Sequence, residues 1–384
     1  MNIHSFARSF AAPAFAGALL FAVACSNKPS PTDGGGGGCS KDLSVGWDQY
    51  GLCAAGTAGN LGTACPAATP PATCLDTRPV AACCAWVQDA TVELSRATGL
   101  HYFSAPAGQT TVDLGCLTNP GTVGTPQNVT LTGFVKLFSS GDDSAGVKVE
   151  VYTEGPSGTL GNLIGSYTTV ADNQLDPPQM PLPTWSSKCP TQGCSLRSYS
   201  IANVPTETAL IIKTSDATSS QKWAELYDYN IFFANGTITQ GDGGVSTVSY
   251  DASTVAATDV NTVASAAGGF TIKPDKGLLA GEVHDCADVR LANATVNTDY
   301  RPEGDMFYFN SDETNPLPDK SQTDGTSKLG LFGALNYQTG VPIHISAVGM
   351  LNGQRTLVGA YTVQVFPGAV TALSLRGRRP YQHD

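Results

Sequence analysis

Charge is scarce in this chain: Asp, Glu, Lys and Arg together make up 14% of its 384 residues. Acids lead among them, leaving a formal net charge of −11. That balance argues against a nucleic-acid partner, because affinity for phosphates comes largely from Lys and Arg. The acids are scattered rather than blocked, the pattern of a solvated surface. Also missing are the short signatures of common chemistries. There is no H-E-x-x-H for zinc hydrolysis, no G-x-S-x-G nucleophile elbow and no phosphate-cradling G-x-x-x-x-G-K-[ST]. Ser219-Ser-Gln-Lys222 fits S-x-x-K but lacks the S-D-N and K-T-G companions. No C-x-x-C pair occurs, and His101 is the only His near the cysteine-rich region, so spacing does not support zinc there. The chain therefore reads as non-catalytic and without a cofactor.

Gly (42) and Pro (24) are plentiful, and Thr, Ser and Val fill much of the remainder, which favours short strands joined by turns. Residues 1–24 read as an export signal. Arg8 gives a basic start, and the apolar run Phe10–Ala24 is too short for a membrane span and contains Pro13. Ala22-Val23-Ala24-Cys25 resembles the lipobox of bacterial lipoproteins, with Ala22 where that pattern has Leu. The resemblance implies acylation of Cys25 and a bilayer anchor; the competing reading is ordinary cleavage before a free Cys. Residues 25–38, closing on Gly34–Gly38, cannot bury a core and form a flexible tether with a reach of roughly 20 Å. A tether has a physical purpose directly after a lipid anchor. In the lipoprotein sorting rule, Ser26 after the Cys implies the outer membrane, which places the protein in the cell envelope.

Giving Cys25 to lipid leaves ten of the 11 cysteines, an even number suited to an oxidising compartment. Seven of them, Cys39, Cys53, Cys65, Cys74, Cys83, Cys84 and Cys116, crowd into or just after a segment (39–115) poor in large apolar residues. Disulfides are the natural substitute for its missing core. Adjacent Cys83 and Cys84 are expected to reach different loops. Cys189 and Cys194 flank a short polar loop and are expected to pair locally. If all ten pair, Cys286 must then bridge out of its own domain into the cysteine-rich region.

From about Thr111 the pattern is strand-like. Val129–Phe138 reads as a strand, Gly141–Gly146 as a turn, and Val147-Lys-Val149-Glu-Val151 alternates at period two. A Pro-rich insertion follows at about Asp172–Arg197, and Gln240–Gly244 reads as a linker. Thr258-Asp259 can cap a short helix with Val260, Val263, Ala264 and Ala267 on one face, ended by Gly268-Gly269. The later chain then repeats the earlier one. Leu279-Ala-Gly281-Glu-Val283 matches Leu131-Thr-Gly133-Phe-Val135, and Asn293-Ala294-Thr-Val296 matches Gly146-Val147-Lys-Val149. Phe332-Gly-Ala334-Leu-Asn336 matches Tyr199-Ser-Ile201-Ala-Asn203, and Val363–Thr371 matches Ile231–Thr239. Four matches in one order indicate a tandem duplication.

This order of motifs resembles the carboxypeptidase regulatory-like domain, a transthyretin-like β-sandwich, over about Val129–Thr239 and Gly277–Leu375. The resemblance implies a mainly β chain of two tandem Greek-key-type β-sandwiches, at 116–240 and 270–384, after the disulfide-rich segment. Residues 241–269 would hold the linker and the one short helix. It implies no activity of its own, only appended modules for folding, adhesion or ligand contact.

Three sets of side chains are candidates for more. His284-Asp285 with Asp288, meeting His344 across the sandwich, is the best metal or acid–base group, against the plainer reading of His on a polar strand face. Trp185, Trp223, Tyr227 and Tyr229 could form a carbohydrate-stacking platform on the first sandwich, against a place in its core or rim. Acidic loops at Asp142-Asp143, Asp299–Asp305 and Asp312-Glu313 could offer oxygens to calcium, but none has EF-hand spacing. The expected role is an envelope or surface lipoprotein that presents its sandwiches to a protein or glycan partner. The alternative is an exported carbohydrate- or small-ligand-binding protein, with a hydrolase third.

Overall fold

The computed structural model describes residues 112–138, 144–170, 197–218, 221–241, 244–298, 303–313, 315–323, 325–351 and 354–382. The signal, the anchor and tether, Cys39 to Cys84, the Cys189/Cys194 pair and Trp185 lie outside them. The fold is mainly β.

In the earlier half, β1 (Asn128–Leu137) buries Val129, Leu131, Val135 and Leu137. It pairs antiparallel with β4 (Arg197–Pro205), and parallel with β8 (Ser246–Ser249) and β9 (Ala252–Thr254). Facing this layer are β2 (Val147–Glu154), β3 (Leu160–Thr168), β5 (Leu210–Asp216) and β6 (Leu226–Ile231), in the order β6-β5-β2-β3. Val147, Val149 and Val151 on β2 and Ile212 on β5 meet Leu131 and Ile201 in one cluster. Each such fully buried side chain contributes about 1.5–3 kcal/mol of apolar transfer, so the period-two pattern is what holds the layers together.

The stretch expected as a linker belongs instead to this sandwich. Strand β7 (Thr239–Gln240) turns back on β8 as a hairpin, with Gly241 N–H bonded to Val245 O and Gly244 at φ 77°. The glycines there serve a tight turn, and β8 and β9 then complete the first sheet before the helix. That helix, α1 (Ala257–Gly268), closes on Gly269 in the left-handed conformation. Its N-cap is Ala256, which supplies no side-chain bond, so Thr258 and Asp259 sit in the first turn rather than capping it.

The later half repeats the plan. Strand β10 (Lys276–His284) pairs antiparallel with β13 (Leu331–Gln338) and parallel with β16 (Val370–Arg376), as β1 does with β4 and β8. Strands β11 (Thr295–Thr298), β14 (Pro342–Leu351) and β15 (Gln354–Gln364) form the opposing sheet, as β2, β5 and β6 do. Strand β12 (Glu303–Tyr308) adds an edge beside β13. The echoed asparagines acquire a physical role here. Asn203 (φ 62°) and Asn336 (φ 57°) are both left-handed, and each sits where two residues oppose one on the partner strand. Asn tolerates that conformation in a β-bulge better than most residues. Gly133 and Gly281 match as well: a Cβ would lie 1.7 Å from the Tyr250 carbonyl oxygen at the first and 2.3 Å from that of Leu373 at the second. Both strands are approached too closely for any side chain.

The two sandwiches are fused. Strand β16 also pairs in parallel with β6, from Val370–Leu226 to Leu373–Tyr229. One eight-stranded sheet, β12-β13-β10-β16-β6-β5-β2-β3, therefore supplies a layer to each half. One core lies between this sheet and β11-β14-β15, and it takes in Ile211, Tyr227 and Tyr229 from the earlier half. Across the seam, the Tyr361 hydroxyl donates to Glu154 at 2.5 Å, and Tyr381 donates to Asn230 Oδ1 at 2.8 Å. Burial pushes the Glu154 carboxyl up to about 8, although the Tyr361 hydroxyl pulls it down.

Candidate functional site

Helix α1 does not cover the whole outer face of β10 and β16. Beside it a cleft of about 740 Å³ opens between the shared sheet and the end of β1 with the β8–β9 connection. Its composition follows from strand alternation. Leu279 and Val283 point into the core between the sheets, so Leu278, Ala280, Glu282 and His284 line the cleft. Its apolar lining includes Phe138 and Phe307, each in ring contact with Phe309, at 5.9 and 5.6 Å. Lys136, Asp228, Asp251, Glu282, His284, Arg290 and Glu313 supply its charged lining.

His284 is part of that charged lining. Its Nε2 is 2.7 Å from Glu282 Oε2 and its Nδ1 is 2.7 Å from Asp288 Oδ1. Each carboxylate is held again from outside. Arg290 donates twice to Glu282, through Nε at 3.1 Å and Nη2 at 2.8 Å, and Arg376 pairs with Asp288. Burial alone would lower the His284 pKa, but bonds to Asp288 and Glu282 reverse that and raise it. Burial likewise opposes ionisation of Glu282, yet His284 and Arg290 hold it below its usual range. Both ring nitrogens are thus engaged by carboxylates, and neither is open to a metal or to a substrate proton.

Asp228, on β6, is the contrasting carboxyl. It is 8% exposed, lines the cleft and accepts the Tyr250 hydroxyl through Oδ2 at 2.7 Å. Burial pushes it up to about 7; the Tyr250 bond works against this and the nearby Glu282 charge adds to it. The same burial raises the Tyr250 phenol well above its ordinary value.

The other expected groupings separate. Asp285 accepts from the backbone of Ala287, Val289 and Asp113, and so ties the chain preceding β1 to the β10 loop rather than completing a site. Alongside, Cys286 bridges to Cys116, with Cα atoms 5.8 Å apart and 170 residues between them. His344 does not meet His284. Its neighbours Ile343 and Ile345 point into the core, so His344 lies on the other face of the far sheet, where it is 2% exposed and Nδ1 lies 2.6 Å from Thr362 Oγ1. Among the described residues no three His, Cys, Asp or Glu are grouped to hold a metal.

The aromatic platform is not formed by the described residues. Trp223 is 4% exposed within the first core and donates from Nε1 to the Ala145 carbonyl. Tyr227 is 5% exposed and stacked on Phe366 at 3.9 Å. Tyr229 is fully buried and donates to Gly158 O. Sequence reasoning missed Asp228 and Tyr250. The one available signal was a lone Asp inside the apolar strand Leu226–Ile231.

No protein-family model matches the chain, and no curated protein matches it. Among solved structures it bears a likeness to the major pilin from Streptococcus pyogenes, at 10% identity over 65% of this chain and 99% of that one. The TM-score is 0.14, too low to carry an argument about fold or function.

Proposed function

We propose that this protein is a non-catalytic lipoprotein of the cell envelope, held by acylated Cys25 and presenting a rigid double sandwich to a protein or glycan partner. The observation that carries the reading is the eight-stranded sheet shared by both halves. A body fused in this way holds its loops in fixed relation, which suits a module whose task is contact. The state of His284 supports the same reading, because its two nitrogens are committed to structural ion pairs. The tether after Cys25 gives the body its distance from a membrane, and Ser26 favours the outer one. Burial of Trp223 and Tyr227 removes the support they lent to carbohydrate stacking, while the cleft favours small-ligand binding as a second reading.

Intact mass spectrometry of the protein purified from its own membranes tests the anchor. A mature start at Cys25 carrying acyl mass, with ten hydrogens gained on reduction, is the expected result. An unacylated start would overturn the reading.

A further inference from the structure

We infer that the cleft beside α1 binds an apolar molecule carrying a primary-amine head. This goes beyond the display role and does not depend on anchoring. A volume of about 740 Å³ lies inside the roughly 300–1,000 Å³ typical of small-molecule sites. Phe138, Phe307, Phe309, Val260, Leu278 and Val370 all line it, enough apolar surface for a ring and an alkyl chain. The head follows from the charges. Three basic side chains line the cleft, and each is matched: Lys136 to Asp251 at 2.6 Å, Arg290 to Glu282 at 2.8 Å, and His284 to Glu282 and Asp288.

Asp228 is different. It is more than nine-tenths buried, and its Tyr250 bond leaves Oδ1 without a hydrogen-bond partner among the described residues. That oxygen belongs to a carboxyl lining the cleft, with no cation against it and the charge of Glu282 nearby. An ammonium would supply the missing counter-charge and a donor together, whereas a carboxylate or phosphate head would be repelled.

The test uses the full chain with Cys25→Ser, so that no detergent competes for the cleft. At pH 8, fluorescence titration compares a dansyl group on an alkyl chain ending in a primary amine with the same fluorophore ending in a carboxylate. The amine form is expected to bind with blue-shifted emission, at least about tenfold tighter than the carboxylate form. In Asp228→Asn the preference should fall to about twofold or less, and Ala280→Phe, which fills the floor, should weaken both probes. Binding of neither probe, equal or tighter binding of the carboxylate, or an amine preference that survives Asp228→Asn would each overturn the inference. The comparison in the parent chain decides even if a variant fails to fold.

Discussion

Replacing Cys116 and Cys286 together by Ser removes a cross-link that spans the whole earlier sandwich. The chain-entropy relation for a closure of 170 residues gives a ceiling of about 5 kcal/mol at 25 °C. Measured effects commonly fall below that ceiling, at about 2–4 kcal/mol. Local contacts would keep the native segment in place without the bridge. Cys286 N–H donates to Asp113 O at 2.8 Å, and Asp113 N–H donates to Asp285 Oδ2 at 3.1 Å. The folded state should thus change little, and the loss should come from a freer unfolded chain. Urea unfolding followed by fluorescence and circular dichroism reads this directly. The expected result is a lower midpoint, a loss of about 2–4 kcal/mol and a steeper denaturant dependence, because the unfolded chain expands. Peptide mapping of the parent must first show the bridge formed. A loss below about 1 kcal/mol with that bridge in place would refute the reasoning.

The two echoed asparagines should respond differently to the same substitutions. Asn203→Ala forces a left-handed residue without the tolerance of Asn and should cost about 1 kcal/mol, while Asn203→Gly should be close to neutral. Asn336 also bonds the Lys273 amide at 2.9 Å and the Thr271 carbonyl at 3.0 Å, so Asn336→Gly should cost about 1–3 kcal/mol. Equal effects of the two glycine variants in urea unfolding would contradict this. Stability should fall as pH rises from 5 to 8. Glu154 and Asp228 both have folded pKa values raised by burial, to about 8 and about 7, so the stability they contribute is present below their unfolded values and lost on ionisation. His284 acts in the same direction above its ordinary value of 6.5. Besides burial, the groups acting on Asp228 are Tyr250, whose bond lowers its pKa, and Glu282, whose charge raises it. Asp228→Asn should therefore stabilise the protein more at pH 8 than at pH 5, and the reverse order in denaturant midpoints would sink the assignment.

Much of this architecture was legible because strand alternation is local. Val147-Lys-Val149-Glu-Val151 announces one buried face whatever it packs against, and the Gly and Asn echoes mark backbone geometry only a few residues adopt. Sheet sharing was not legible, since parallel pairing of β16 with β6 joins residues about 144 apart in sequence and depends on which edges each sandwich leaves open. Strand β6 shows the difficulty. All six of its residues are buried, although two of them, Asp228 and Asn230, are polar. A bulge at Asn230 (φ 62°) then turns Ile231 into the first core while Tyr227 and Tyr229 face the second. For the same reason spacing alone left the platform and core readings of the aromatics open, and the structure places Trp223, Tyr227 and Tyr229 in the core: a Tyr on a strand buried on both faces has the spacing of a Tyr on an exposed one. The histidine pair failed through topology, because His284 and His344 lie on opposite outer faces of one sandwich.

The central claim is that the shared sheet makes the two sandwiches a single body, with the cleft on its surface. Differential scanning calorimetry of the full chain tests it most directly. One cooperative transition, with calorimetric and van't Hoff enthalpies in agreement, is the predicted outcome. Two separable transitions, with Asn203→Ala shifting one and Asn336→Ala the other, would contradict it.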